Sequence, residues 1–163
     1  MTEKLDWTER TAGLNKQQIR LVYLMNAVRT IRRSLYRDLC YCGPEDFLLQ
    51  HGQWFAARVW KNQAIAGEPR QCFRNSMMLA DGKQLKYVEG MALRADLPIP
   101  FHHAWNADTQ GLLVDATWLN DGDAYLGVIF PNRMVRPALR ESGAILEDYA
   151  HGYKLFRRRW TGQ

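Results

Sequence analysis

Three short segments of the chain carry side chains suited to covalent chemistry. Arg70-Gln-Cys72-Phe-Arg-Asn75 follows the Gly67-Glu68-Pro69 break and sets a cysteine where a helix over 71–80 is predicted to begin. Phe101-His-His103-Ala-Trp105-Asn106 reads as a strand, and Leu113-Val-Asp115-Ala-Thr117-Trp118 lies on the strand after it. The start of a helix presents unpaired N–H groups and about half a positive charge, which stabilises a thiolate. An imidazole beside that sulfur makes a nucleophile–base pair, and a carboxylate on the imidazole's far side orients it. Cys72, His103 and Asp115 are the residues in those three places.

Strand parity decides whether the last two can meet. A three-residue hairpin loop at 108–110 sets 103 opposite 115, with Cβ atoms about 4.5–5.5 Å apart. With Gly111 in the left-handed loop position, the loop becomes 109–111, residue 105 faces 115, and His103 lies diagonal to Asp115. Both registers keep the pair on one sheet face, whereas an even-length loop separates them. His102, one residue along, points to the opposite face. Asn106 is a second, weaker orienter.

The elements around these segments follow from hydrophobic period. Asn15 and Gln18 form a capping-box pair before Leu21, Leu24, Val28, Ile31, Leu35 and Leu39, so one amphipathic helix is predicted over 16–39. Its other face carries Lys16, Arg20, Arg29, Arg32, Arg33 and Arg37. Residues 1–13 read as a mobile lead-in. Pro44 opens a short helix over 45–50, and 53–63 is apolar with no clear period. The period then becomes two: strands are predicted over 84–93, 101–107, 112–118 and 124–130, separated by Gly, Pro and Asp. Helices return at 138–142, with Pro137 as a first-position residue, and at 145–157. Helices, then an antiparallel meander, then helices define an α+β fold.

A cysteine at a helix start, then His103-Ala-Trp105 on a strand, then Val114-Asp115-Ala-Thr117 on the next, resembles the transglutaminase-like branch of the papain-like cysteine hydrolases. The spacings, 31 residues from Cys72 to His103 and 12 from His103 to Asp115, suit compact members. The resemblance covers about 65–130, within a single domain spanning 1–163. The stretches Tyr87-Val-Glu-Gly90 and Tyr125-Leu-Gly-Val-Ile-Phe130 are similar to small bacterial and phage proteins of this kind. It implies that Cys72 is the nucleophile, His103 the general base and acid, and Asp115 the orienting group. The Cys72 N–H would contribute to an oxyanion hole, with Gln53, Gln63 and Gln71 as candidate side-chain donors. Trp105, His102 and Glu89 are candidate cleft residues. The reaction implied is hydrolysis or acyl transfer at an amide, ester or thioester of a protein or peptide substrate, without cofactor.

Other classes fit less well. The chain has 163 residues, 22 Lys+Arg against 17 Asp+Glu, and a net charge of +5, with 47% hydrophobic residues, which excludes a disordered chain. Three cysteines make no disulfide framework, and Cys40-x-Cys42 has the wrong spacing for common zinc knuckles. Cys72, His102, His103 and Asp115 could each ligate zinc, but no zinc motif accompanies them, so no metal is expected. No apolar run approaches the roughly 20 residues of a membrane helix, and no basic-then-apolar leader is visible, so a cytoplasmic protein is expected. The basic helix face offers Arg29, Arg32, Arg33 and Arg37 to an acidic partner. Nucleic acid is a less favoured ligand, since no nucleic-acid motif is present. A fold retained only for binding, as a modulator of another protein, is the alternative to an enzyme.

Overall fold

Asn15 starts the first helix through its own side chain. In the computed structural model, which describes residues 11–56, 66–82, 84–119, 121–141, 143–148 and 152–162, its Oδ1 accepts the N–H groups of Gln17 and Gln18. Gln18 Oε1 accepts the Asn15 N–H in return, which completes the capping box. Helix α1 runs over Lys16–Leu35, shorter than the sequence period implies. Beyond it the chain is drawn elsewhere: Cys40 and Tyr41 donate their N–H groups to the Phe156 carbonyl at 2.8 and 3.2 Å. Gly43, at φ 145°, then turns the chain into α2, Pro44–His51, with Pro44 in the first turn.

The buried stripe of α1 is rotated from the expected one. Leu21, Val22, Met25 and Arg29 face inward, while Ile31 and Leu35 are exposed. The cause is an ion pair: Arg29 Nε lies 2.6 Å from Asp46 Oδ1 on α2, and both groups are buried. Asp46 also accepts the Cys42 N–H and the Gln50 amide. Arg32 reaches Glu45 at 3.5 Å. Arg29 and Arg32 are therefore neutralised within the fold and do not serve as a free basic face. Arg33 and Arg37 stay exposed.

Five strands form one antiparallel sheet in the order β1-β5-β2-β3-β4. They are β1 (Gln53–Phe55), β2 (Lys86–Leu93), β3 (Phe101–Ala107), β4 (Leu113–Val114) and β5 (Ala124–Ile129). β2 is central and buried along all but its first residue. One face of the sheet, including Tyr87, Met91, Ala104 and Leu126, packs on α1, α2 and helix α3 (Cys72–Gly82). The other carries Phe55, Val88, Trp105 and Tyr125. Gly90 and Gly127 face each other across β2 and β5. A Cβ on Gly127 would lie 2.6 Å from Trp105 Cζ2, so the missing side chain is what admits the indole.

Several elements differ from the expected ones. β1 forms within the stretch that shows no period. The strand expected over 112–118 shrinks to two residues, because Asp115 captures the next turn's N–H groups with its side chain. Helix α4 covers Asn132–Glu141, so Pro137 sits inside it rather than at its start. Pro137 has no N–H to donate to the Arg133 carbonyl. In the described part of the helix expected over 145–157 there is a turn at 145–147 and a 3-10 helix at Lys154–Arg157, while 149–151 lie outside the described residues. Gly152 and Tyr153, both at positive φ, separate them. No helix among the described residues is long and apolar enough to cross a membrane. Most of the 1–13 lead-in lies outside the described residues.

Candidate active site

The β3–β4 hairpin adopts the second of the two registers considered above. Ala107 pairs with Leu113, Asp108 donates to the Leu112 carbonyl, and Gly111 has φ 79°, which leaves 109–111 as the loop. His103 and Asp115 are diagonal neighbours on one face. Their side chains meet: His103 Nε2 and Asp115 Oδ2 are 2.7 Å apart. β4 pairs only with Asn106 and Ala107, so no strand among the described residues covers the outer edge of β3 at His103. The N-terminus of α3 approaches there, and the Cys72 thiol lies close enough to the His103 ring to act on its charge. With Nε2 taken by Asp115, Nδ1 is the nitrogen left for the sulfur.

Asp115 is held by more than the histidine. Its Oδ1 accepts the Thr117 and Trp118 N–H groups at 2.9 and 3.0 Å, and Oδ2 accepts the Tyr125 hydroxyl at 3.0 Å. The Tyr125 oxygen in turn accepts the Gly122 N–H. Burial alone would favour a protonated carboxyl, but the His103 contact and the two N–H groups hold Asp115 below its ordinary value. For His103, burial opposes the charge. The hydrogen bonds and charges of Asp115 and Cys72 outweigh it and raise the imidazole to about 9. The ring is thus an imidazolium at neutral pH. Trp118 stacks on it, with centroids 4.1 Å apart and planes at 17°, a favourable place for a cationic ring.

A second set of bonds joins the segment before Cys72 to the turn after Asp115. Asn75, one turn after Cys72, accepts the Glu68 N–H and donates to the Glu68 carbonyl and to Thr117 Oγ1. Gly67 donates to the Ala116 carbonyl, and a side chain on Gly67 would overlap Asn75. The segment before Cys72 is thereby fastened to the turn after Asp115. Arg70, two residues before Cys72, and Leu119, next to Trp118, have φ 62° and 53°, so two of the three non-glycine left-handed residues described flank the triad. Strain of this kind concentrates at working sites.

The other candidate residues are dispersed. Gln71 is exposed, and its carbonyl accepts the Asn75 N–H at the start of α3. Gln53, Gly127, Gly90 and His103 occupy one row across the sheet, so Gln53 stands three strand spacings, roughly 14 Å, from the histidine. Gln63 lies outside the described residues. Trp105 is fully buried beneath His103, and Asn106 bonds the Ser76 carbonyl instead of the imidazole. Glu89 is fully buried as well, where it accepts the Tyr87 hydroxyl, the Ile145 and Leu146 N–H groups and the His102 ring. His102, on the opposite face from His103, lies between Glu89 and Glu147 at 2.8 and 3.1 Å. Burial opposes its charge too, but the two carboxylates raise it to about 9. It fastens the 143–148 segment to the sheet.

Cys40 and Cys42 are free thiols. Burial, with Asp46 beside it, pushes the Cys42 thiol up to about 11. Among the described residues no group of three His, Cys, Asp or Glu side chains is arranged to hold a metal ion. Two surface grooves, one lined by Met134, Ala138, Ile145 and Leu155 and the other by Met77, Val135 and Arg140, include none of the triad. Tyr125, Trp118 and Asn75 are the supporting residues that spacing does not reveal. An aspartate whose following N–H groups fold back onto it is the one readable hint, and it leads to Trp118. No protein-family model matches the chain, and no curated protein or solved structure matches it either.

Proposed function

We propose that this protein is a cysteine-dependent hydrolase or acyl-transfer enzyme of transglutaminase-like type, acting on an amide, ester or thioester carbonyl of a protein or peptide. The observation that carries this reading is one imidazole hydrogen-bonded to a buried carboxylate, with a helix-start thiol close enough to act on its charge.

The chemistry follows from those contacts. The Cys72 sulfur, as a thiolate beside the His103 imidazolium, attacks the carbonyl carbon, and the carbonyl π pair moves onto oxygen. The unpaired N–H groups at the start of α3, the helix that Cys72 opens, offset that oxyanion's charge. The oxyanion collapses, the bond to the leaving group breaks, and His103 donates its proton to the departing amine, alcohol or thiol. Water or an amine then attacks the thioester, His103 takes its proton, and the Cys72 thiolate leaves. Asp115 offsets the ring's charge throughout and fixes its orientation.

The test is acyl-enzyme trapping with p-nitrophenyl acetate. The expected result is a burst of p-nitrophenol and one acetyl group on the Cys72 peptide by mass spectrometry, both lost in Cys72→Ala. No acetylation at Cys72, or equal acetylation of Cys40, would overturn the reading.

A further inference from the structure

Helix α1 presents a ridge that the described residues leave uncovered. Ile19, Tyr23, Ala27, Ile31 and Leu35 follow one another at steps of four, all exposed, with Tyr23, Ile31 and Leu35 at 73%, 67% and 70%. Those five span about 24 Å of helix. The opposite side of α1, with Leu21, Val22, Met25 and Arg29, is the one buried on the protein. Beside the ridge runs a second row of the same pitch: Lys16, Arg20, Leu24 and Val28. Two neighbouring rows at i+4 pitch bound a groove that accepts the i+4 ridge of another helix.

The charge along α1 selects the occupant. Residues 16–35 include five Lys and Arg and no Asp or Glu. Arg29 and Arg32 are matched internally by Asp46 and Glu45. Lys16 and Arg33 have no carboxylate partner among the described residues, and Arg20 reaches only the Leu97 and Pro98 carbonyls. The helix N-terminus adds positive potential at the Lys16 end. A second copy of this chain would meet like charge in either orientation: Lys16 and Arg20 against each other if parallel, or against Arg33 and Arg37 if antiparallel. We infer that the Ile19–Leu35 ridge of α1 is a docking surface for an acidic amphipathic helix of a partner protein, with apolar residues at i, i+4 spacing and carboxylates along their flank. This surface is separate from the proposed chemistry, and binding there does not depend on Cys72.

Fluorescence anisotropy with designed peptides of about 18 residues tests it. One carries Leu at i, i+4 spacing flanked by Glu, and its control carries Lys in place of every Glu. The full-length protein should bind the Glu peptide at least about tenfold more tightly than the Lys peptide. Tyr23→Ser with Ile31→Ser should weaken that binding by about tenfold. Lys16→Glu with Arg33→Glu should weaken it and flatten its salt dependence. All four positions are exposed, and an unchanged circular dichroism melt confirms that each variant is folded. Equal binding of the two peptides, or binding indifferent to the Tyr23 and Ile31 changes, overturns the inference. So does self-association in sedimentation that Ile31→Ser abolishes. Binding to phosphatidylserine-containing vesicles that is lost in the same variants, with no binding of the Glu peptide, overturns it in favour of a lipid surface.

Discussion

His103 is the residue on which the proposed chemistry depends. Its ring lies between Asp115 and Cys72 under the Trp118 indole, and both partners act to keep it charged. Asp115→Asn preserves the shape but removes the negative charge. Acylation by p-nitrophenyl acetate is expected to fall by about two to four orders of magnitude, with the melting curve changed far less. Tyr125→Phe deletes one hydrogen bond to a buried carboxylate and leaves the Gly122 N–H without its acceptor. Urea denaturation should show a loss of about 1–3 kcal/mol. The His103–Asp115 pairing and the place of Cys72 at a helix start were legible in the sequence because strand parity and the Gly-Pro break are local signals. Tyr125 was not, since one tyrosine among the apolar residues of a strand looks like any core aromatic. Glu89 looked like a cleft or surface residue and is fully buried, because its four partners come from three separated parts of the chain.

Among the elements, α1 and α2 depend on each other through one buried ion pair. Asp46→Ala leaves the Arg29 charge buried with no counter-ion, which is expected to cost about 3–5 kcal/mol in urea denaturation. The double change Arg29→Met with Asp46→Leu should recover most of that loss, and failure to recover would show that packing rather than charge was at stake. The same pair explains why period alone misplaces the inner face of α1: Leu24, Val28 and Ile31 form the cleaner apolar row, yet Arg29 is pulled inside by a carboxylate 17 residues away. The sheet was easier to read. The β3 boundaries and the 109–111 loop follow from alternation and from Gly111, which are local signals. β4 and the C-terminal segments depend on side chains of distant residues, and local period is silent about those.

For the molecule as a whole, two histidines sit on opposite faces of one strand, each raised to about 9 against burial, His102 by Glu147 and Glu89 and His103 by Asp115 and Cys72. A raised histidine contributes stability that is complete below its unfolded value, about 6.5, and is lost as pH rises through its folded value. The urea midpoint should therefore fall between about pH 6.5 and 9. On the acid side, Asp46, Asp115 and Glu147 are lowered, so stability should fall again as pH drops below about 4. A midpoint flat from about pH 6.5 to 9 would show that neither histidine is charged in the folded protein. The exposed apolar side chains also sort by place. Four lie on the α1 ridge, and Ile99, Phe101 and Leu119 lie close in sequence to His103 and Trp118.

The most direct measurement is the pH dependence of iodoacetamide alkylation at each cysteine, followed by peptide mass spectrometry in the native protein and in His103→Ala. Cys72 is expected to react faster than exposed Cys40 and buried Cys42 below about pH 7, and its profile should move to higher pH when the imidazolium is removed. Reaction at Cys72 no faster than at Cys40, with a profile unchanged by His103→Ala, would contradict the assignment of Cys72 and His103 as a nucleophile and its base.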